Sequence, residues 1–156
     1  VFWLMGSFAT SNWEKFLFFF VPFLLCSSIL LGLSWRLNLL SLDEKEAKAL
    51  GVKVAPLRWL VIFLSGSLVV CQVVISGSIG WVGLIIPHLS RMLVGANHQR
   101  LLPCTMLVGA TYMLLVDNVA RSLSDAEIPI SILTALSGAP LFGVLVYKLK
   151  HGGMNE

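Results

Sequence analysis

The sequence predicts an all-α, polytopic transmembrane bundle of about five membrane helices with one short cytoplasmic helix. Two observations predict this fold. The 156 residues are 57% hydrophobic and only 12% charged, and their apolar residues form charge-free runs long enough to cross a bilayer. Soluble domains carry about 25% charged residues, so this composition cannot cover a water-exposed surface. The basic residues are scattered between apolar runs, which is not the pattern of a nucleic-acid-binding surface.

A membrane-crossing helix needs about 20 mostly apolar residues. The segments of about this length are Phe16–Trp35, Pro56–Ile75, Leu101–Arg121 and Pro129–Tyr147. The charge-free run 59–90 is too long for one straight span and breaks at Ser76–Gly80, where glycines permit a tight turn. A short helix over about Val82–Val94 follows. We expect it to pack among the other helices, because backbone at membrane depth must be covered by protein or line a cavity.

The distribution of Lys and Arg predicts which ends of the spans face the cytoplasm. If five spans alternate sides, one side receives only Lys15 and Arg121. The other side receives Arg36, Lys45, Lys48, Lys53, Arg58, Arg91, Arg100, Lys148 and Lys150. The 36–58 loop, the 91–100 loop and the C-terminus are therefore predicted to be cytoplasmic. The N-terminal segment, the 76–81 turn and the 122–128 loop are predicted to face outward.

The longest polar segment, residues 36–58, is predicted to contain a short helix over Leu42–Leu50. Ser41 and Glu44 have the spacing of a capping box, in which the serine hydroxyl accepts from the backbone N–H three residues on. Lys48 suits the last turn of such a helix, and Gly51 suits the position after its end. The pattern allows either an amphipathic helix on the membrane surface or a docking helix for a soluble partner.

Asp117 and Arg121 are charged residues near the outer end of the fourth long segment. They are four residues apart, so they share a helix face and can pair. Ionisable residues in a span are functional candidates, although a local ion pair that tolerates two charges near the interface is an equal alternative. Asp125 and Glu127 make the neighbouring loop acidic.

Other residues with possible chemistry favour structural roles. His88 lies in the short helix without a second ligand at metal-binding spacing, so a structural histidine is favoured. The cysteines are far apart in apolar stretches, which favours packing over metal or disulfide use; they are Cys26, Cys71 and Cys104. The sequence contains no P-loop, H-E-x-x-H or G-x-S-x-G motif, and an intramembrane enzyme would need such groups. We therefore expect no enzyme and no cofactor in this chain.

Glycines and small residues predict turns and close helix packing. The residues assigned to the structural turn and its helix are Gly77, Gly80, Gly83 and Pro87. Small residues that let helices approach closely occur at Ser65–Ser67, Gly109–Ala110 and Ser137–Pro140.

The segment 76–100, SGSIGWVGLIIPHLSRMLVGANHQR, carries a family resemblance. It resembles the permease subunits of bacterial type II ABC importers of the FecCD/BtuC type, which take up iron–siderophores, haem and cobalamin. Supporting similarities lie at Trp3–Ser7, 37–51, Leu115–Arg121 and Glu127–Ile130. Members of that family have ten spans. The resemblance thus implies that residues 1–156 are one transmembrane permease domain, the C-terminal half of such a subunit, and a start at Val1 favours a fragment.

The resemblance also implies partner contacts. In the family, the loop matching residues 37–51 folds into short helices that sit in a cleft on a separate ATP-hydrolysing subunit, which binds ATP and Mg. The docking residues implied here are Leu39, Leu42, Glu44, Ala47, Leu50 and Gly51. The family often has glycine where this chain has Asp43. The resemblance assigns Arg121, oriented by Asp117, to a carboxylate on a substrate-binding protein.

The implied function is that of a permease subunit in a binding-protein-dependent importer of the bacterial cytoplasmic membrane. Two copies would form a homodimer surrounded by lipid. ATP hydrolysis in the partner would drive uptake of an iron–siderophore, haem or cobalamin-type chelate, although some oxyanion importers share the pattern. One alternative is a truncated remnant that inserts but transports nothing, and another is an ATP-independent secondary transporter or channel.

Overall fold

The computed structural model describes residues 12–123 and 128–152, and every regular element in those ranges is an α-helix. The helices are α1 (Trp13–Gly32), α2 (Ser34–Leu40), α3 (Glu44–Ala49), α4 (Val54–Ser76), α5 (Val82–Val94), α6 (His98–Leu123) and α7 (Ile130–Gly152). Among the described residues, α1, α4, α6 and α7 are long and apolar enough to cross a membrane, and α5 is a shorter apolar helix. These helices confirm the predicted all-α membrane bundle. The predictions for Trp3–Ser7, Asp125 and Glu127 lie outside the described residues.

The helix boundaries differ most from the prediction at the end of the first span. The segment Phe16–Trp35 was expected to be one helix, but α1 ends at Gly32 and α2 begins at Ser34. Leu33 joins them, with its N–H donating to Ile29 O at 2.9 Å and its carbonyl accepting from Leu37 N–H at 3.0 Å. The chain thus changes helix at Leu33 without losing hydrogen bonds there. The short α5, in contrast, has the predicted bounds.

Helix α5 is packed along one face by two neighbouring helices. It contacts both α6 and α7, which also contact each other, while α1 packs on α4 and α2 on α6. The largest fully buried side chains are Ile85, Ser90 and Thr134, two from α5 and one from α7. The expectation that the short helix packs among its neighbours is confirmed for this buried face, whereas Leu84, Met92 and Leu93 of α5 are exposed. Large apolar side chains on α1 and α4 are also exposed, as at Phe18 and Phe63.

Two glycines allow α5 to approach its neighbours closely. A Cβ at Gly138 of α7 would lie 2.6 Å from Ile85 Cδ1, and a Cβ at Gly109 of α6 would lie 3.4 Å from Ile86 Cγ2. The close packing predicted for these small residues is therefore confirmed. At Gly66, in contrast, an added Cβ would meet nothing within 4 Å among the residues that the structure describes.

The turn between α4 and α5 places a tryptophan, rather than a second glycine, in a left-handed conformation. Gly77 has φ 74°, as expected, but Trp81 has φ 65°. The Val82 N–H donates to Gly80 O at 2.7 Å across Trp81, which closes a γ-turn of the rare positive-φ kind. Such backbone costs on the order of 1–3 kcal/mol for a residue with a side chain.

Two of the residues assigned to the structural turn and its helix lie in the helix. Gly83 and Pro87 are inside α5, which begins at Val82 as predicted. Pro87 has no N–H to donate to the carbonyl of Gly83, four residues earlier, and so leaves this position of the helix without its usual hydrogen bond. His88 follows within the same helix.

Candidate functional site

The first candidate site is α3 together with the residues that flank it. Its start differs from the predicted capping box. Asp43 precedes the helix in an extended conformation and its Oδ1 accepts from Glu44 N–H at 2.9 Å. The Ser41 hydroxyl donates instead to Asn38 O at 2.6 Å. The predicted pairing of Ser41 with Glu44 is wrong because the helix begins later, at Glu44, where Asp43 is the nearer acceptor.

The end of α3 agrees with the prediction for Gly51. This residue has φ 77°, and its N–H donates to Lys48 O at 3.0 Å, while Val52 N–H donates to Ala47 O at 3.2 Å. These two bonds form a complete Schellman motif, which satisfies the last carbonyls of the helix. Since a left-handed residue is needed at this place, glycine suits it. A helix of only six residues is thereby closed at its end.

The side chains of α3 and its flanks separate into a buried contact and an exposed apolar surface. Ala47 is 1% exposed, and it faces the protein because α3 packs on α2 and α4. Leu42 and Leu50 are 42% and 62% exposed. Ala47 therefore packs α3 against the rest of the protein and is not itself part of a surface for a partner. Leu39 is half-buried, and Glu44 and Gly51 are exposed.

One ion pair crosses the exposed side of α3. Lys48 Nζ lies 2.8 Å from Glu44 Oε1, and both side chains are more than half exposed. The hydrogen bond from Lys48, followed by its positive charge, lowers the pKa of the Glu44 carboxyl below its ordinary value. Because solvent screens an exposed pair, this interaction orders the surface of α3 more than it stabilises the protein.

The second candidate site lies near the other end of α6. Arg121 Nε donates to Asp117 Oδ2 at 2.9 Å, which confirms the predicted i,i+4 pair. The arginine side chain is 67% exposed and that of the aspartate 24%. The aspartate therefore holds one nitrogen of the guanidinium while most of the arginine stays accessible. That arrangement suits recognition of an anionic group, because arginine has several donors in a planar fork.

A cluster of Asn38, Asn97 and His98 joins the first site to the start of α6. Asn38 Nδ2 donates to Asn97 Oδ1 at 2.9 Å. Asn38 Oδ1 accepts from His98 N–H at 2.7 Å and lies 2.8 Å from His98 Nδ1. The 36–58 and 91–100 loops therefore meet at one end of the bundle, as the charge distribution predicted.

Sequence reasoning did not find this cluster. Its partners are 59 and 60 residues apart, so helical periodicity carries no signal for them. The available signal was that Asn97 directly precedes α6, where asparagine favours capping, and that Asn38 was predicted on the same side of the membrane.

Helix α7 carries an open apolar groove of about 550 Å³. Its lining residues all belong to α7 and are Ser131, Ile132, Ala135, Leu136, Ala139 and Pro140. The groove is thus formed by one helix, and no second element lines it among the residues that the structure describes. Within the same residues, no group of three His, Cys, Asp or Glu is arranged to hold a metal ion.

Comparison with known proteins places this architecture among transport proteins. The chain is 95% identical, over all of its 156 residues, to the molybdate import system permease protein of Haemophilus influenzae, and covers 46% of that protein. It is 40% identical to the hemin transport system permease protein of Yersinia pestis, covering 96% of this chain and 45% of the relative. The chain thus spans about half the length of the curated relatives it matches.

A solved structure shares the fold. It is described as an inward-facing conformation of an ABC transporter assigned provisionally to the metal-chelate type, and it matches with a TM-score of 0.91 and 95% identity. The match covers 94% of this chain and 48% of the other. Residues 1–148 match the FecCD transport family. Since that match extends over most of the chain, the protein described here belongs to the FecCD transport family.

Proposed function

We propose that this chain is the C-terminal half of a permease subunit in an ATP-driven importer of the bacterial cytoplasmic membrane. The observation that carries the proposal is α3, a helix seated by Ala47 and closed by Gly51, with Leu42 and Leu50 exposed beside it. Exposed apolar side chains on a held helix suit a soluble partner. In this proposal the partner is an ATP-binding subunit, which holds ATP and Mg, and residues 37–51 form the coupling loop.

The opposite end of α6 is proposed to face the outside and to contact a substrate-binding protein. Arg121 supplies the positive charge and Asp117 orients it. The C-terminus and the coupling loop would then be cytoplasmic, in agreement with the Lys and Arg distribution. A second copy of the permease would complete the assembly as a homodimer in the lipid bilayer.

Molybdate is the proposed substrate. The support is the 95% identity to a permease named for molybdate import, because so few differences leave little room for a changed pathway. A chelate such as haem is the second candidate. It is favoured by the hemin permease at 40% identity and by the solved structure assigned to the metal-chelate type.

The test is transport by the complete gene product, reconstituted in liposomes with its ATP-binding subunit and its binding protein. We expect ATP-dependent uptake of radiolabelled molybdate and none of hemin. Uptake of hemin but not of molybdate would show that the proposed substrate is wrong and would leave the proposed importer function in place. Uptake that continues without ATP hydrolysis would favour a secondary transporter, and a native product of this length without any uptake would favour a remnant.

A further inference from the structure

We propose that Asn38 is the residue through which movement of the coupling loop is transmitted to α6. This inference rests on the proposed function, since it assumes that an ATP-binding subunit moves the loop. Its basis is the cluster of Asn38, Asn97 and His98, which connects two parts of the chain 60 residues apart.

The start of α6 is capped from two different parts of the chain. The first four N–H groups of any α-helix have no partner within the helix. In α6, Gln99 N–H donates to Asn97 Oδ1 at 3.0 Å, and Arg100 and Leu101 donate to Asn97 O at 3.0 and 2.8 Å. The remaining group, His98 N–H, donates to Asn38 Oδ1. One of the four caps of α6 therefore comes from α2.

The side chain of Asn38 forms hydrogen bonds toward α6, and its backbone carbonyl accepts one from the segment before α3. Its side chain makes two further contacts with α6 and its cap, one to His98 Nδ1 and one to Asn97 Oδ1. Its backbone carbonyl accepts from the Ser41 hydroxyl, at the start of the segment that leads into α3. Asn38 thus lies between the coupling helix and α6 and is bonded toward both.

These bonds make it costly for α2 to move alone. Because an amide oxygen only accepts, the contact with Asn38 Oδ1 requires the His98 tautomer that carries its hydrogen on Nδ1. If α2 were displaced while α6 stayed in place, His98 N–H and this Nδ1–H would lose their acceptor at a partly buried position. Leaving buried donors without partners costs free energy. We therefore expect α2 and α6 to move together. At about 1.5 Å per residue, the 26 residues of α6 extend roughly 39 Å. Near its far end lie Asp117 and Arg121.

The experiment measures ATP hydrolysis and molybdate uptake together, in liposomes that contain the complete gene product, its ATP-binding subunit and its binding protein. Asn38 lies within the 37–51 loop but is half-buried and is not one of the proposed docking residues. For Asn38→Ala we therefore expect the ATP-binding subunit to stay bound and ATP hydrolysis to continue. Molybdate taken up per ATP hydrolysed should fall about tenfold, within the usual range of coupling between sites. A role limited to folding would lower both activities together and leave their ratio unchanged.

Three further variants sharpen the test. Asn38→Asp keeps an oxygen that can accept from both donors of His98, but it replaces the Nδ2 donor to Asn97 Oδ1 with a second acceptor. Its ratio should therefore lie between those of the wild type and Asn38→Ala. Gln99→Ala is the matched control, because Gln99 gives only its backbone N–H to the cap. If Asn38→Ala does not accumulate in membranes, His98→Phe removes only the ring donor and should lower the ratio by a smaller factor.

Each outcome decides between the two proposals. An unchanged ratio in Asn38→Ala or in His98→Phe would overturn the role of Asn38 and leave the proposed function intact. Loss of the ATP-binding subunit from Asn38→Ala would also overturn it, because Asn38 would then be required for docking and not for transmission to α6. Absence of ATP-driven uptake in the wild type, with both molybdate and hemin as probes, would overturn the proposed function and this inference with it.

Discussion

Gly138 of α7 lies so close to Trp81, at the start of α5, that a Cβ on the glycine would come within 2.9 Å of the tryptophan Cβ. Ile85 Cδ1 would be at 2.6 Å, but this terminal methyl can rotate away. The Trp81 Cβ cannot, since its backbone is held at φ 65° in the γ-turn. The indole also packs edge-on against Phe142, with ring centroids 6.3 Å apart. The glycine thus allows α7 to support a strained turn.

Gly138→Ala should destabilise the bundle. The added methyl has to displace the Trp81 backbone, and overpacking of this kind costs about 1–3 kcal/mol. We expect a lower midpoint of thermal unfolding for the complete gene product purified in detergent. Gly143→Ala is the control on the same helix, because a Cβ there would meet nothing within 4 Å among the described residues. Equal midpoints for the two variants would show that the contact at Gly138 yields without cost.

Local patterns in the sequence were enough to predict the helices and one ion pair. Hydrophobic runs bounded by glycine and charge indicated Val82–Val94 with its observed bounds. Helical spacing indicated that Asp117 and Arg121 would meet. Both depend on residues within a few positions of each other, so a single sequence contains the information.

Features that depend on tertiary contacts could not be predicted in the same way. The left-handed Trp81 contradicts local preference, which favours glycine there, and its conformation accompanies a contact with Gly138 far along the chain. The hydrogen bond of Asn38 to Asn97 spans 59 residues. Ala47 is buried, whereas Leu42 and Leu50 are exposed. The apolar pattern of this short segment did not indicate which of its side chains face the protein.

Leu50→Asp should weaken binding of the ATP-binding subunit. The side chain is 62% exposed, so the change should hardly affect folding, since surface substitutions usually stay within about 0.5 kcal/mol. Placing a charge in an apolar contact should weaken the complex roughly tenfold, which corresponds to about 1.4 kcal/mol. The measurement is co-purification of the ATP-binding subunit with the tagged permease.

Leu123→Asp is the control for this prediction. Leu123 is 64% exposed, similar to Leu50, but it ends α6 at the opposite end of the bundle. It should retain the ATP-binding subunit. Equal retention by both variants would remove Leu50 from the docking surface.

The ion pair on α3 should make the coupling helix sensitive to acid. Lys48 lowers the pKa of Glu44 in the folded state, so the pair stabilises α3 fully above the ordinary pKa of glutamate. This contribution is lost as the pH falls through the lower, folded-state pKa. The Glu44 carboxyl carbon of the labelled protein, followed by NMR, should titrate at a lower pH in the wild type than in Lys48→Met. Identical titrations would mean that the pair does not persist in solution.

Arg121→Glu should uncouple the permease from its binding protein without unfolding it. The substitution removes the positive charge and places a second carboxylate four residues from Asp117, which costs only about 0.2–0.5 kcal/mol in a helix. A carboxylate on the binding protein would then be repelled, so stimulation of ATP hydrolysis by the binding protein should fall strongly while the basal rate stays the same. Arg121→Lys, which keeps the charge but loses the planar fork, should retain part of the stimulation. If Arg121→Glu is stimulated as strongly as the wild type, the Asp117–Arg121 pair serves only to place two charges in the last turns of α6.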